Sequence, residues 1–402
     1  MCQHPTLTKK YFNFLQLSPS LYYGKWQSLL MIIYKINNLL LTLNPPLLQI
    51  PNYLYHLITL VISTLLVLLT TPTIKKIALR IGLVDHPGGR KIHKQPMVRL
   101  GGVSIFISGL IALLIVWWLG GFIDTNGNIL SPEKEFEIWG VTVGGVAFFV
   151  IGLADDLFGL SPLFRLFTQI IAASIAWVVG VQIQFLTIPF YGLAHINMLL
   201  SWPITVIWLV GMANAINWID GVDGLAAGVS GIAAFMMLIV SIFMDQPAAA
   251  LIAAALAGAT LGFLRYNFNP AQIFMGDGGA YYVGFTLAGV GVIGLVKTTM
   301  VTSVVLPYLI LAVPILDMSA VILDRLRNGK SPFIADKRHL HHRLLDAGLS
   351  QRLTVFFIYS LTLWVGSLAM AFSGIPSGTI YAFSATGLLA YTSWKVWKQK
   401  QA

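Results

Sequence analysis

Charged side chains are scarce in this chain. Asp, Glu, Lys and Arg make up 10% of its 402 residues, whereas a soluble domain carries about 25%. Hydrophobic residues contribute 57% and the mean hydropathy is +0.79, so the composition excludes a soluble globular protein. Cysteine is almost absent, because Cys2 is the only one. This excludes a disulfide framework and a cysteine-based metal cluster.

Acidic residues are fewer than basic ones, 15 against 25, which gives a formal net charge of +10. In a soluble protein such an excess would indicate nucleic acid as a partner. In a membrane protein it indicates cytoplasmic loops, where Lys and Arg accumulate. We therefore expect a lipid bilayer and no nucleic acid.

Long apolar runs account for this composition. A bilayer core of about 30 Å needs roughly 20 apolar residues per helix. Eleven such runs lie near residues 53–72, 101–122, 137–154, 163–181, 199–217, 224–243, 247–264, 278–296, 299–320, 353–373 and 377–396. With no internal repeat visible, the sequence predicts an all-α polytopic membrane protein with about eleven transmembrane helices, in one transmembrane domain over residues 51–402.

Residues 1–50 fit this pattern less well and are interpreted as an N-terminal extension. Lys35, Asn37 and Asn38 interrupt its apolar stretch. The stretch is interpreted as an interfacial helix, as upstream sequence not needed for function, or as a twelfth span. We favour the interfacial helix or the upstream sequence over the twelfth span. It lacks the small-residue cleavage site of a signal peptide.

Basic and acidic residues both concentrate on one side of the predicted spans. Nineteen of the 25 Lys and Arg residues fall there, and the positive-inside rule makes that side cytoplasmic, with the C-terminus inside. Ten of the twelve Asp residues lie on the same side, namely Asp85, Asp155, Asp156, Asp220, Asp223, Asp277, Asp317, Asp324, Asp336 and Asp346.

Five of these Asp residues stand in apolar sequence. They are Asp155 and Asp156 in FFVIGLADDLFGL, Asp220 and Asp223 in NWIDGVDGL, and Asp277 in IFMGDGGAYYVG. An ionised carboxylate there costs about 2.5 to 3.5 kcal/mol on insertion scales, which is typical of sites that handle a cation or a proton. Helix capping is the alternative for Asp223 or Asp277, but it explains at most one of the adjacent pair.

Asn214 and Asn217 precede Asp220 and Asp223 at intervals of three. This spacing predicts that the four side chains line one side of a helix end and its turn. Carboxylate ligands without cysteine favour Mg²⁺ or Mn²⁺. Mg²⁺ typically takes one or two carboxylates together with substrate phosphates. The glycines around Asp277 would let backbone N–H groups approach a phosphate.

Two basic segments complete the polar inventory. The histidines of DKRHLHHRLL do not have zinc-site spacing, so we interpret them as a donor site for a diphosphate and sugar, or as a solvated loop; they are His339, His341 and His342, followed by Arg343. The loop after the first span is either positive-inside charge alone or a site for a lipid phosphate.

Carboxylates, cations and apolar grooves on one face predict transfer of a phosphosugar from a nucleotide sugar to a lipid phosphate.

Five segments resemble, in order, the motifs of the polyprenyl-phosphate N-acetylhexosamine-1-phosphate transferases (glycosyltransferase family 4). They read RKIHKQPMVRLGG, GLADDLFGL, NAINWIDGVDGL, RYNFNPAQIFMGDGGA and DKRHLHHRLL, and span about residues 83–352. The predicted span count is similar to that of the WecA/TagO branch. The resemblance implies a bacterial plasma-membrane enzyme with a cytoplasmic active site. It would transfer N-acetylhexosamine-1-phosphate, expected to be GlcNAc-1-phosphate, from a UDP-sugar to undecaprenyl phosphate with Mg²⁺, releasing UMP, as the first membrane step of cell-envelope polysaccharide synthesis.

The resemblance also implies roles for single residues. Asp155 and Asp156 match the paired active-site Asp, Asp220 the essential Asp, and Asp277 the Mg²⁺ ligand, with Asp156 as a second metal ligand. The expected substrate-binding residues are Asn214, Asn217, Asp223, Asn267, Phe274, His339, His341, His342, Arg343, Arg90, Lys91, His93 and Arg99. Phe274 is expected to stack on uracil.

Departures from the related pentapeptide branch bear on the donor. That branch has three consecutive His residues followed by an acidic residue, whereas here Leu340 interrupts the run and Arg343 follows it. We therefore favour a plain N-acetylhexosamine donor and keep phospho-N-acetylmuramoyl-pentapeptide transferase as the alternative. An ion-coupled transporter, from another class, would place carboxylates near mid-span in an inverted repeat. A homodimer stays open.

Overall fold

The computed structural model describes residues 50–84, 97–188, 192–295, 301–329, 331 and 338–401, with residues 186–188, 192, 193, 295, 301–305, 400 and 401 described by their backbone only. The predictions for residues 1–49 therefore lie outside the described residues. Within them the regular elements are thirteen α-helices and one β-hairpin. In chain order they are α1 (Asn52–Arg80), α2 (Gly101–Trp118), α3 (Pro132–Phe158), α4 (Pro162–Val178), β1 (Phe185–Ile188), β2 (Gly192–His195), α5 (Met198–Ile219), α6 (Leu225–Phe243), α7 (Pro247–Asn267), α8 (Gly276–Val290), α9 (Val301–Ile310), α10 (Ala312–Arg327), α11 (Leu340–Asp346), α12 (Gln351–Phe372) and α13 (Gly378–Gln401).

Each predicted span overlaps with helix, and the all-α membrane class is confirmed. Seven helices, α1, α2, α3, α5, α6, α7 and α12, are long and apolar enough to cross a membrane. The apolar helix α4 has 17 residues, and α8 has 15 before it continues as the π-helical turn Gly291–Leu295. The ninth predicted span is divided into α9 and α10. The number of eleven spans therefore stays a prediction.

Helix starts follow from local capping chemistry. Ser131 and Ser161 each accept a hydrogen bond from a backbone amide of the first turn and are followed by a proline at the first helical position. Proline is tolerated there because the first amides of a helix have no intrahelical acceptor. The Ser-Pro pairs thus set where α3 and α4 begin.

The most buried helices are α7 and α8. Helix α7 is rich in Ala and Gly and packs against α1, α2 and α6, while α8 packs against α3 and α5. Small residues let helix backbones approach closely in lipid, where apolar burial alone gives little driving force. A Cβ atom on Gly258 of α7, for example, would lie 2.3 Å from the carbonyl oxygen of Leu60 in α1.

A proline in α1 is compensated by α7. Pro72 has no N–H, so the carbonyl of Leu68 loses its helical donor. The hydroxyl of Tyr266 donates to that carbonyl over 2.9 Å. This contact ties the middle of α1 to the end of α7.

Two helices, α2 and α3, converge on the beginning of α8, and glycines make the approach close. A Cβ on Gly102 of α2 would lie 2.2 Å from the Gly279 nitrogen, and a Cβ on Gly152 of α3 would lie 2.4 Å from the carbonyl oxygen of Asp277. The amide of Gly102 also donates to the carbonyl of Met275 over 2.7 Å. The start of α8 is therefore held by backbone contacts with α2 and α3.

The β-hairpin departs from the predicted purely helical pattern. Its strands are antiparallel, with Phe185 opposite His195 and Ile188 opposite Gly192. The segment FLTI is rich in aromatic and β-branched residues, which favour strands. The hairpin accounts for part of the long connection between α4 and α5, at the end of the helices opposite the start of α8.

Candidate active site

The carboxylate of Asp155 is held at both oxygens. One oxygen accepts a hydrogen bond from the backbone amide of Leu160 over 2.8 Å, and the other pairs with the guanidinium of Arg165 in the first turn of α4. Asp155 is buried. It therefore closes the end of α3 and positions Arg165.

Its neighbour Asp156 points to a different element. One of its oxygens accepts a hydrogen bond from the amide of Gly278 over 3.0 Å, so it satisfies a donor at the N-terminus of α8. The other, Oδ1, is buried and has no hydrogen-bond partner among the described residues. We predicted that capping would explain at most one of the pair. Of the two, only Asp156 accepts an N–H from the first turn of a helix, whereas Leu160, the donor to Asp155, lies beyond the end of α3.

Asp277, in the first turn of α8, is surrounded by polar groups from three other segments. The side-chain amide of Asn217 donates to its Oδ1 over 2.7 Å. The guanidinium groups of Arg99 and Arg165 each lie 3.9 Å from a carboxylate oxygen of Asp277. Gly276 precedes it with φ +75°, a conformation that favours glycine.

Asp220 follows α5 and belongs to the same electrostatic cluster. Burial raises the pKa of Asp220 to about 7; the guanidinium of Arg99 opposes this rise, and the carboxylates of Asp277 and Asp156 add to it. With Asp155, four carboxylates face the two guanidinium groups, which leaves a formal charge of −2 when all are ionised. Such an excess favours a divalent cation.

The described residues contain no group of three or more Asp, Glu, His or Cys side chains already arranged around a metal position. Mg²⁺ does not require one, because it usually takes one or two carboxylates and completes its shell with water and phosphate oxygens. The unpartnered Oδ1 of Asp156 beside the first turn of α8 offers such a ligand. The residues present thus fit Mg²⁺, with Asp156 and Asp277 as the carboxylates that would hold it.

Asn214, Asn217, Asp220 and Asp223, predicted to line one side of a helix end and its turn, have different partners. Asn214 donates to Gln169 of α4 over 2.7 Å, away from Asp277. The turn after Ile219 redirects the chain, because the helix ends there and regular helical spacing no longer applies. Asn217 and Asp220 contribute to the carboxylate cluster, and the charge of Asp223 acts on Asp220.

Asp223 and Asn267 organise backbone in the part of the chain described. Asp223 accepts hydrogen bonds from the amide of Ala271 and the side chain of Asn269, over 2.9 and 3.1 Å. Asn267 accepts from the amide of Gly224 and donates to the carbonyl of Ile273. Both thereby shape the segment that leads from α7 to Asp277, and their contact with a substrate stays a prediction.

Phe274 lies in that segment and is partly buried. Its amide donates to the carbonyl of Val98 over 2.8 Å and its carbonyl accepts from Gly101 over 2.9 Å. These contacts connect the segment to the chain just after Arg99, which accounts for the closeness of Arg99 to Asp277. The predicted residues Arg90, Lys91 and His93 lie outside the described residues.

The histidine motif packs against the loop that follows α5. His341 is buried, and a Cβ on Gly221 would lie 2.7 Å from its Nε2 atom. Burial, and next the imidazoles of His342 and His339, lower the pKa of His341 to about 3. His341 is therefore neutral at physiological pH, so the three histidines do not act as three cations. Arg343 is exposed on the other side of α11.

Three residues near the predicted site were missed from the sequence. Arg165 holds Asp155 and approaches Asp277. Asp317 of α10 binds His339, and Trp218 contacts the His339 ring edge-on with centroids 5.8 Å apart. A lone arginine in an apolar helix start, ten residues after Asp155, was the available signal for Arg165. No sequence spacing pointed to the other two contacts.

The fold and the site together define a polytopic α-helical membrane protein with a carboxylate-rich site for phosphate chemistry at one end of its helices. Comparison with known proteins agrees. A family model for glycosyl transferase family 4 matches residues 138–295. The chain is 35% identical over 337 residues to the probable undecaprenyl-phosphate N-acetylglucosaminyl 1-phosphate transferase of Bacillus subtilis, covering 84% of this chain and 86% of the relative.

Two further relatives carry similar names. The decaprenyl-phosphate N-acetylglucosaminephosphotransferase of Mycolicibacterium smegmatis is 36% identical over 74% of this chain and 77% of its own. The undecaprenyl-phosphate alpha-N-acetylglucosaminyl 1-phosphate transferase of Escherichia coli is 28% identical over 80% of this chain and 87% of its own. The chain belongs to glycosyl transferase family 4.

Proposed function

We propose that this protein transfers N-acetylglucosamine-1-phosphate from UDP-GlcNAc to undecaprenyl phosphate and releases UMP. The observation that carries the proposal is the meeting of Asp156, Asp220 and Asp277 with Arg99 and Arg165 at the start of α8. The names of the relatives support the sugar and a polyprenyl phosphate acceptor. They do not favour the pentapeptide transferase, and carboxylates at one end of the helices do not favour a transporter.

The charge of the site suits a reaction between two phosphates. Mg²⁺ bound by Asp156 and Asp277 would offset the repulsion between donor and acceptor and stabilise the leaving phosphate. Arg99 and Arg165 approach Asp277 from two sides, so they are placed to donate to phosphate oxygens next to it. Asn217 keeps the Asp277 carboxylate in orientation through its 2.7 Å hydrogen bond.

We favour a direct transfer. An oxygen of the lipid phosphate forms a bond to the β-phosphorus of the donor. The bond from that phosphorus to the oxygen bridging it to the α-phosphorus breaks, and this oxygen leaves with UMP. A covalent route needs a carboxylate with a free oxygen. Both oxygens of Asp155 are engaged by Leu160 and Arg165, and the unpartnered oxygen of Asp156 is the one that we assign to Mg²⁺. The phosphate acceptor is already ionised near neutral pH and needs little activation.

The acceptor's apolar chain has a candidate groove of about 450 Å³ beside the histidine motif. Helices α9, α10 and α12 supply its apolar wall, including Val313, Leu316 and Val365. Its charged lining residues are Asp317, Asp324, Arg338 and Arg343. We propose that part of the isoprenoid lies there.

The positive-inside distribution of Lys and Arg supports an active site at the cytoplasmic face of a bacterial plasma membrane. A homodimer stays a prediction.

The test is turnover by the purified protein with Mg²⁺, undecaprenyl phosphate and labelled UDP-GlcNAc, following UMP and label in lipid. We expect Asp277→Asn to lower kcat by about 10²- to 10³-fold. Asp245→Asn is the matched control, because this Asp stands at the opposite end of the helices and its φ of +54° is one that Asn also tolerates. Turnover only with UDP-MurNAc-pentapeptide would contradict the proposed donor, and silence with both donors would contradict the proposed reaction.

A further inference from the structure

A buried carboxylate outside the cluster around Asp277 holds the first histidine of the histidine motif. Oδ2 of Asp317, in α10, lies 2.8 Å from Nδ1 of His339. Its second oxygen accepts a hydrogen bond from the backbone amide of Leu340 over 2.6 Å. Asp317 and His339 are 9% and 6% exposed, so water does not compete strongly for either contact. Asp317 thus contacts both the side chain of His339 and the first helical residue of α11.

Aromatic neighbours keep the imidazole in one plane. The ring of His341 stacks on that of His339 with centroids 5.7 Å apart and planes 5° apart. Trp218, next to Asn217 in α5, contacts the same ring edge-on. The guanidinium of Arg325, also in α10, lies 5.1 Å from the Trp218 ring centroid. The ring of His339 is therefore fixed by contacts with α5, α10 and α11.

The carboxylate also decides which ring nitrogen carries the proton. An ionised carboxylate only accepts hydrogen bonds, so Nδ1 of His339 must donate to it. In the neutral ring Nε2 is then an acceptor, and it is the remaining hydrogen-bonding atom of the side chain. Among the described residues Nε2 has no hydrogen-bond partner, whereas Nδ1 has one.

We infer that Asp317 is a positioning residue for the nucleotide-sugar donor, which holds His339 with its proton on Nδ1 and so presents Nε2 to a hydroxyl or amide N–H of the donor sugar. The inference rests on the proposed function, in which the histidine motif binds the donor. It names the class of group recognised: an acceptor nitrogen pairs with an O–H or N–H and not with a phosphate oxygen. The motif's contact with the donor would then be made to the sugar.

The variant Asp317→Asn separates this role from the anchoring of α11. The Asn side-chain carbonyl still accepts from the amide of Leu340, but its NH₂ group donates to Nδ1, which moves the imidazole proton to Nε2. We expect KM for UDP-GlcNAc to rise about tenfold, the range of one lost hydrogen bond. KM for undecaprenyl phosphate should stay unchanged, because Asn keeps the size of the side chain where residue 317 lines the proposed isoprenoid groove. Asp346→Asn, the same change at the exposed end of α11, is the control and leaves both KM values as they are.

A double-mutant cycle with His339→Gln identifies the route of the effect. If Asp317 acts through His339, Asp317→Asn raises the donor KM no further once His339 is replaced. An equal rise in both backgrounds, or no rise in either, would overturn the inference while wild-type turnover left the proposed function intact. Absence of wild-type turnover would instead count against the proposed function.

A measurement on the wild-type protein keeps the inference testable should Asp317→Asn not fold. The ¹⁵N resonances of histidine distinguish a protonated from an unprotonated ring nitrogen, and comparison with His339→Gln assigns the signals. We expect a protonated Nδ1 and an unprotonated Nε2 for His339 at pH 8. The opposite tautomer, or a ring protonated on both nitrogens, would overturn the inference.

Discussion

Gly152→Ala tests whether the close backbone approach of α3 to α8 positions the site. A Cβ at residue 152 would lie 2.4 Å from the carbonyl oxygen of Asp277, while ordinary contact begins near 3.4 Å, so the two backbones must separate by about 1.0 Å. No side-chain rotation relieves this, because the obstructing atoms are backbone. A misplacement of about 1 Å between catalytic groups lowers rates by about 10²-fold.

We therefore expect Gly152→Ala to lower kcat for UMP release by about 10²-fold, and overpacking to destabilise the protein by about 1–3 kcal/mol. Gly211→Ala is the matched control, since Gly211 is also a helix glycine near the site and its added Cβ would meet only the Met318 side chain at 3.9 Å. That change should leave kcat unaltered. A Gly152→Ala protein with wild-type kcat would refute the reasoning that this contact sets the distance between Asp156 and Asp277.

Two further predictions concern charge. Arg165→Gln leaves the Asp155 carboxylate, 5% exposed, without its cation. Since Arg165 is itself partly exposed, we expect the free energy of unfolding to fall by about 2–3 kcal/mol, measured as a lower unfolding temperature in detergent. Adding Asp155→Asn should recover most of this stability, and a further loss of stability would contradict the pairing. The pKa of Asp220 near 7 means that its carboxylate is mostly protonated at pH 6 and ionised at pH 8. Burial, and next Asp155 and Asp156, also raise the pKa of Asp277 to about 7. Because a cation binds ionised carboxylates, Mn²⁺ affinity measured by electron paramagnetic resonance should fall by about tenfold or more from pH 8 to pH 6. Asp220→Asn should reduce that dependence without removing it, and a pH-independent wild-type affinity would contradict the prediction.

The adjacent pair Asp155 and Asp156 illustrates how one motif serves packing and chemistry together. Each carboxylate accepts a backbone N–H, at the end of α3 and at the start of α8 respectively. Yet only Asp156 keeps a buried oxygen without a partner. The capping interpretation and the metal interpretation of these residues are therefore not alternatives, because different oxygens carry the two roles.

Much of the fold was predictable because the bilayer imposes it. A membrane-crossing segment must satisfy its own backbone hydrogen bonds and be apolar for about 20 residues, so apolar runs in the sequence mark helices directly. The hairpin β1–β2 was not predicted, because a four-residue strand has no such signature. The division of the ninth span at Leu311 was also missed, since composition does not change there.

By itself the sequence determined the membrane class, the helical segments and the set of polar residues that gather near α8, because each of these depends on local composition or on short motifs. Only the tertiary structure decided the partners: Asn217 with Asp277, Asn214 with Gln169, Asp155 with Arg165, and His339 with Asp317. Most of these contacts join residues that are far apart in the chain. Helix packing sets their geometry, through the crossing of small residues such as Gly152, and no local pattern encodes which side chains then meet.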